Sequence, residues 1–368
     1  MRLVVLALIA IVSVAAVAGS QAAVVRPTYV NAARLFDGER MLRGGASVEV
    51  RGGRIVAAGR LRIPRGAKVT RLGDATILPG FIDLHVHQSP AVLLREGVTT
   101  TRNLGEQLST LRPPYADAGY PRIVAAGPLI TVPGGYPTRR DPPLAAPVGS
   151  AEEAVALVDR LVRSGAAVIK IALETGADAS LPTLSVPEVQ AIVAEAHRLH
   201  RIVTAHVLEG PGLAIALAGG VDEVAHMPCT GVTPEQLAQL AARHVPVVGT
   251  LHAGGLFASL GSGCGDGLAN AKRFVADGGE LLYGTDTPAV PAALDLTELG
   301  LMQQAGLTAV QVLQAATSRA GRELGMAPLG TLRAGAPADV WAVRGDPTVA
   351  LRALGRPLYV MARGRRVR

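Results

Sequence analysis

The sequence predicts an α/β protein: a (β/α)8 barrel of the TIM type carrying a small β-sandwich domain built from the N- and C-terminal segments. Three observations predict it. Eight short apolar runs alternate with helical patterns through the middle of the 368-residue chain, the size and rhythm of an eight-stranded parallel barrel. Both flanks read instead as short alternating strands joined by tight turns. Ionisable residues recur at the ends of the apolar runs, the end at which a barrel builds its site.

The first residues, "MRLVVLALIAIVSVAAVAGSQAA", hold one basic residue, an apolar run and then small residues with two cleavage patterns. That is the form of a signal peptide over residues 1–22. The run is short of the ~20 apolar residues that span a bilayer. An exported protein, periplasmic or secreted, is expected, with membrane contact only through this leader. From 23 to 80 the chain reads as strands; "ASVEVRGGRIVAAG" is a hairpin turning on Gly-Gly. The same texture returns over 325–368 in "GTLRAGAPADVWAV" and "LYVMARGRRVR", so the two ends are expected to form one small domain. Between them, 81–324 carries the barrel. Its strands are expected at 81–86, 98–104, 122–127, 167–172, 202–207, 223–226, 246–251 and 280–285. Helices are marked by caps: "SAEEAVALVDRLVRSG" opens on Ser with an acidic first turn, and "SVPEVQAIVAEAHRLH" and "TPEQLAQLAARH" follow the same logic. The stretch 111–122 is weakly patterned, which leaves the second crossover the least defined.

At 49% hydrophobic residues the chain can bury a large core, filled by Ala, Val, Leu and Ile because aromatics are only 3%. The net charge is +7, but the basic residues are scattered. The one tight cluster, "ARGRRVR", alternates like an edge strand, so nucleic acid is not an expected partner. A small-molecule substrate is expected, and a homo-oligomer is left open.

"FIDLHVH" ends an apolar strand with His85 and His87. Residues two apart in a strand face the same way, so the two imidazoles are aimed in parallel. "AAVIKIA" places Lys170 inside an apolar run, "IVTAHV" places His206 in the next, "VDEVAHM" ends on His226, and "LLYGTDTP" places Asp286 at the eighth. Singly, each has a plain structural explanation. Together they put six polar groups on one rim. Four imidazoles and a carboxylate suit a divalent ion such as zinc. Lys170 conflicts with a cation unless carbon dioxide carboxylates it into an anionic bridge.

"PGFIDLHVH", "VIKIA", "TAHV", "DEVAHM" and "YGTDTP" resemble the binuclear-metal amidohydrolase superfamily, in its imidazolonepropionase-like and prolidase-like branch. "VLQAATSRAGRELGM" and "LGTLRAGAPADVWAV" are similar to its closing segment. The resemblance implies two divalent metal ions, zinc being the expected metal, with His85, His87 and Asp286 holding the first and His206 and His226 the second. A carboxylated Lys170 and a hydroxide would bridge them. It implies hydrolysis of amide or peptide C–N bonds, with the metals activating water and Asp286 as general base and then acid. Dipeptides or related carboxylate-bearing amides are the expected substrates. Cyclic amides and lactones are alternatives.

Two features depart from that branch. The segment after His87 is short, and the loop beyond the third strand reads "VPGGYPTRR", with Tyr136, Arg139 and Arg140 where relatives often carry histidines. These three, with His252 after the seventh strand, are the candidate substrate-binding residues. The competing enzyme reading is a mononuclear zinc deaminase using Glu209, three residues after His206; Lys170 argues against it. A binding protein with a degenerate site is the reading from another class. His197 and His200 belong to a solvated helix face, and "GSGCGDG" is read as a lid over the site. Cys229 and Cys264 sit on neighbouring loops. A disulfide tethering the two loops is one reading; loops so placed can also hold their Cα atoms beyond the ~7 Å that a disulfide spans, so two free thiols are the marginally favoured reading and the pairing is left open.

Overall fold

The computed structural model describes residues 26–176, 180–261 and 264–368. The signal peptide expected over 1–22 lies outside the described residues.

Eight parallel strands make the barrel: Phe81–Val86, Val98–Asn103, Arg122–Ala125, Ile169–Ala172, Val203–His206, Glu223–Ala225, Val247–Val248 and Leu281–Leu282. Continuous ladders join the first three strands and the last five. Backbone bonds close the circle, several of them between the first and eighth strands. Ala167 N–H donates to the Ala125 carbonyl at 2.9 Å, and Leu84 N–H donates to the Tyr283 carbonyl at 3.1 Å. Two short strands that the pattern does not reveal, Leu129–Thr131 and Ala145–Pro147, extend the sheet beside the fourth strand.

Helices cover the barrel where their caps predict them. In Ala151–Ser164 the Ser150 hydroxyl accepts from Glu153 N–H. In Val186–Arg198 the Glu188 carboxylate receives the Ser185 N–H at 2.7 Å. Thr233 and Gln236 bond reciprocally at the start of Pro234–Ala242. The second crossover is irregular: among the described residues, 104–121 form turns and no helix. Here the weak pattern reports a real departure from the ideal repeat.

The flanks pair as expected. Strands Thr28–Phe36, Met41–Arg51, Arg54–Gly59, Lys68–Arg71 and Ala75–Pro79 join Val340–Arg344, Pro357–Ala362 and Arg365–Arg366 through an unbroken set of ladders. The set forks at Thr28–Phe36, whose first half pairs with Lys68–Arg71 and whose second half pairs with Ala75–Pro79. The fork folds the strands around one apolar core that draws Val30, Val48 and Ile77 from one end of the chain and Val340, Ala342 and Tyr359 from the other. Trp341 crosses to the barrel and meets Phe81 edge-on at 5.0 Å. Gly97, at φ +98°, makes room for it: a Cβ there would lie 2.3 Å from the Trp341 ring. The arrangement locks the small domain against the first strand, the one that carries His85.

Candidate metal centre

The carboxyl ends of the barrel strands open into a cavity of about 1070 Å³. His85, His87, Lys170, His206, His226 and Asp286 all line it. The sequence therefore picks out six residues from five strands that the fold brings to one place. His85 and His87 do share a face, with ring centroids 5.4 Å apart. Asp286 Oδ1 lies 3.2 Å from His87 Nε2 and 3.5 Å from His85 Nε2. One atom from each of these three falls within 4.8 Å of the others, a spacing that suits a metal ion. The His226 ring sits 4.5 Å from His85 and 4.6 Å from His206.

The backbone is bent to this end. His226, Thr250 and Asp286 follow the sixth, seventh and eighth strands with φ of 67°, 44° and 61°. Left-handed backbone in non-glycine residues costs on the order of 1–3 kcal/mol each and collects at functional sites. Gly284 lets the eighth strand approach the first, since a Cβ there would lie 2.9 Å from that of His85.

The electrostatics favour neutral ligands. Burial, with Lys170 next, holds His85 well below its ordinary range. Burial followed by His206 and Lys170 does the same to His226, and burial lowers His206. Burial also drops Lys170 to about 7, against the opposing pull of Glu223. Imidazoles must be unprotonated to bind a cation. An unprotonated amine is also the form that combines with carbon dioxide. Both His85 nitrogens, His87 Nδ1 and Lys170 Nζ are buried without a hydrogen-bond partner among the described residues. Buried polar atoms are normally satisfied, so these are groups arranged for something else.

Other residues hold the ligands in place, and sequence reasoning missed them. Asp83 is fully buried. It accepts from His85 N–H and Thr285 N–H, each at 3.1 Å, and from the Thr285 hydroxyl at 2.7 Å. It thereby staples the first strand to the segment that carries Asp286. The alternation that pairs His85 with His87 also includes Asp83, and that signal was available. Beneath Lys170, Arg102 contacts Glu223 at 2.5 Å, and Glu223 also accepts from the Thr204 hydroxyl at 2.6 Å. Glu174 contacts His206 Nε2 at 2.8 Å, and Thr250 contacts His226 Nδ1 at 2.9 Å.

The candidate substrate residues divide. Tyr136, Arg140 and His252 line the cavity. Tyr136 stacks on His206 at 4.6 Å, and burial raises its phenol to about 12. His252 Nδ1 pairs with Asp295 at 2.7 Å, and the His252 backbone N–H donates to Glu298 at 2.7 Å. Arg139 and Arg140 are both exposed, but Arg139 does not line the cavity. Glu209 lines the cavity, with Thr175 N–H 3.4 Å from its carboxylate. His197 stays on the helix surface, paired with Asp222 at 2.9 Å. The pairing left open by the sequence is resolved against the marginally favoured free thiols: Cys229 and Cys264 form a disulfide, with Cα atoms 4.9 Å apart. The glycine-rich segment read as a lid lies partly outside the described residues, but Cys264, Gly265 and Gly267 line the cavity. The bridge ties this segment to the loop beyond His226.

A closed parallel barrel whose chemistry-bearing side chains converge at the carboxyl end is the architecture of the α/β-barrel class. Within that class, the chain belongs to the amidohydrolase family, whose model matches residues 90–367. It is 30% identical to ochratoxinase of Aspergillus niger over 228 residues, which are 57% of this chain and 47% of that protein; the match thus spans about half the length of the relative. The fold is similar to that of a Xaa-Pro dipeptidase solved with bound methionine, with a TM-score of 0.80, 24% identity and coverage of 92% of this chain and 99% of that one. It is also similar to the A. niger ochratoxinase structure, with a TM-score of 0.77, 20% identity and coverage of 93% and 96%.

Proposed function

We propose that the protein is an exported, metal-dependent hydrolase of C–N bonds in small carboxylate-bearing amides, dipeptides foremost. The observation that carries the reading is the convergence of four imidazoles, Lys170 and Asp286 on one cavity. The orphaned buried nitrogens of His85, His87 and Lys170 fit a site for cations. His85, His87 and Asp286 would hold one divalent ion, zinc by the chemistry of the donors, and His206 and His226 a second. Lys170, carboxylated, would bridge them. When bound, such ions lower the pKa of water and polarise a carbonyl.

The chain's own groups do the rest. Asp286 faces the cavity beside His87 and takes a proton from the attacking water. It then returns that proton to the leaving nitrogen as the C–N bond breaks. Tyr136, kept protonated by burial, donates a hydrogen bond to the substrate. Arg140 and His252 meet its carboxylate; the arginine fork suits two carboxylate oxygens. Family membership and relatives named ochratoxinase and Xaa-Pro dipeptidase support amide hydrolysis. The leader sequence and the disulfide support export to an oxidising compartment.

The test is a screen of zinc-loaded protein against Xaa-Pro and other dipeptides, N-acyl amino acids, cyclic imides and lactones. Turnover of free-acid amides, lost on substituting Asp286→Asn, is the expected result. Turnover confined to lactones, or deamination in place of amide cleavage, would overturn it.

A further inference from the structure

The four imidazoles at the rim are not held alike. His226 has its Nδ1 against the Thr250 hydroxyl at 2.9 Å, and its Nε2 has no hydrogen-bond partner among the described contacts. His206 is reversed: its Nε2 lies 2.8 Å from the Glu174 carboxylate, and its Nδ1 has no hydrogen-bond partner among the described contacts. The topology explains why Glu174 is there. Ala172 pairs with His206 across the fourth and fifth strands. Lys170, Ala172 and Glu174 alternate onto one face, so Glu174 stands just beyond the position opposite His206. The fourth strand thus delivers both Lys170 and the partner of the neighbouring imidazole. Tyr136 packs flat on the His206 ring at 4.6 Å and 17° between planes. One contact fixes the ring's plane and the other fixes its rotation within that plane.

We propose that Glu174 is a positioning residue for the second cation site: its carboxylate accepts the Nε2–H of His206, selects the tautomer with an unprotonated Nδ1, and turns that nitrogen to the centre. The inference rests on the metal reading given above. A carboxylate behind a ligating imidazole fixes the tautomer and raises the basicity of the other nitrogen, and losing it costs about 10–100-fold in metal affinity. The neutral Thr250 hydroxyl cannot do the same for His226, so the two histidines of one site are held with unequal strength. Glu209, the neighbouring acid, has no imidazole partner among the described contacts.

The experiment is zinc titration against a competing chelator on wild-type, Glu174→Ala, Glu174→Gln, Glu209→Gln and His206→Ala proteins, each checked for folding by circular dichroism. The inference expects Glu174→Ala to weaken one of two zinc ions by about 10–100-fold and to leave the other unchanged. Glu174→Gln, which keeps an acceptor without its charge, should fall between Glu174→Ala and wild type. Glu209→Gln should match wild type. Two tightly held ions in both Glu174 variants, with one lost in His206→Ala, would overturn the inference while leaving the metal reading intact. So would unchanged zinc affinity combined with a raised KM for amine-bearing substrates only, which would make Glu174 a substrate contact. A wild-type protein that takes up no zinc would overturn both.

Discussion

Lys170 is the residue on which the proposed chemistry turns. Fully buried and brought to about 7, it presents an amine that carbon dioxide can carboxylate. Lys170→Ala is expected to lose most activity and one of two metals, and short carboxylic acids added to that variant should restore part of both. Normal turnover and two metals in the variant would rule the bridge out. The six rim residues were legible because a charged or imidazole side chain in an apolar strand is conspicuous. Asp83 was equally conspicuous and went unread because it sits deeper, serving His85 rather than the cavity. Glu174 was not legible. It lies past the end of its strand, and only the pairing of Ala172 with His206 brings it to an imidazole.

At the scale of elements, the mouth of the cavity is set by loops, and loops were the least readable part. Strand register follows from alternation and helix starts follow from caps, but no periodicity governs how a loop returns. The disulfide is the clearest case. Cys229 and Cys264, 35 residues apart, could be placed on neighbouring loops but not within bonding distance. Closing a loop of that size is worth about 3–4 kcal/mol in the chain-entropy account. Cys229→Ala and Cys264→Ala are each expected to lower unfolding free energy by about 2–4 kcal/mol and to raise KM, because the bridge shapes the mouth. Thiol titration of the denatured, unreduced protein should find none; two would contradict the bridge. The loop beyond the third strand gives a second case. Arg140→Ala is expected to raise KM for a free-acid dipeptide several-fold and spare its amide. Arg139→Ala, off the cavity wall, is expected to change neither. Equal effects of Arg140→Ala on acid and amide would defeat the carboxylate role.

At the scale of the whole molecule, the barrel and its two-ended β-domain were legible because rhythm and flank texture are global features. The buried ionisable groups that tension the fold were not. Glu298, wholly buried, is pushed up to about 8 by burial. The native state therefore keeps a proton that the unfolded chain releases once pH passes the ordinary carboxyl range. By linkage, this group's contribution to stability falls as pH rises toward about 8 and is constant above it. The buried histidines act oppositely, since the unfolded chain gains their protons below the ordinary imidazole range. The comparison that isolates Glu298 is Glu298→Gln against wild type in urea. The variant is expected to gain on wild type steadily between pH 5 and pH 8, and a difference independent of pH would contradict the assignment. Whether the rim is a binuclear centre is decided by counting metal on zinc-reconstituted wild-type protein by elemental analysis. Close to two ions per chain are expected, removed by chelator together with amide hydrolysis. A count close to one, the stoichiometry of a deaminase, or close to zero would contradict a binuclear centre.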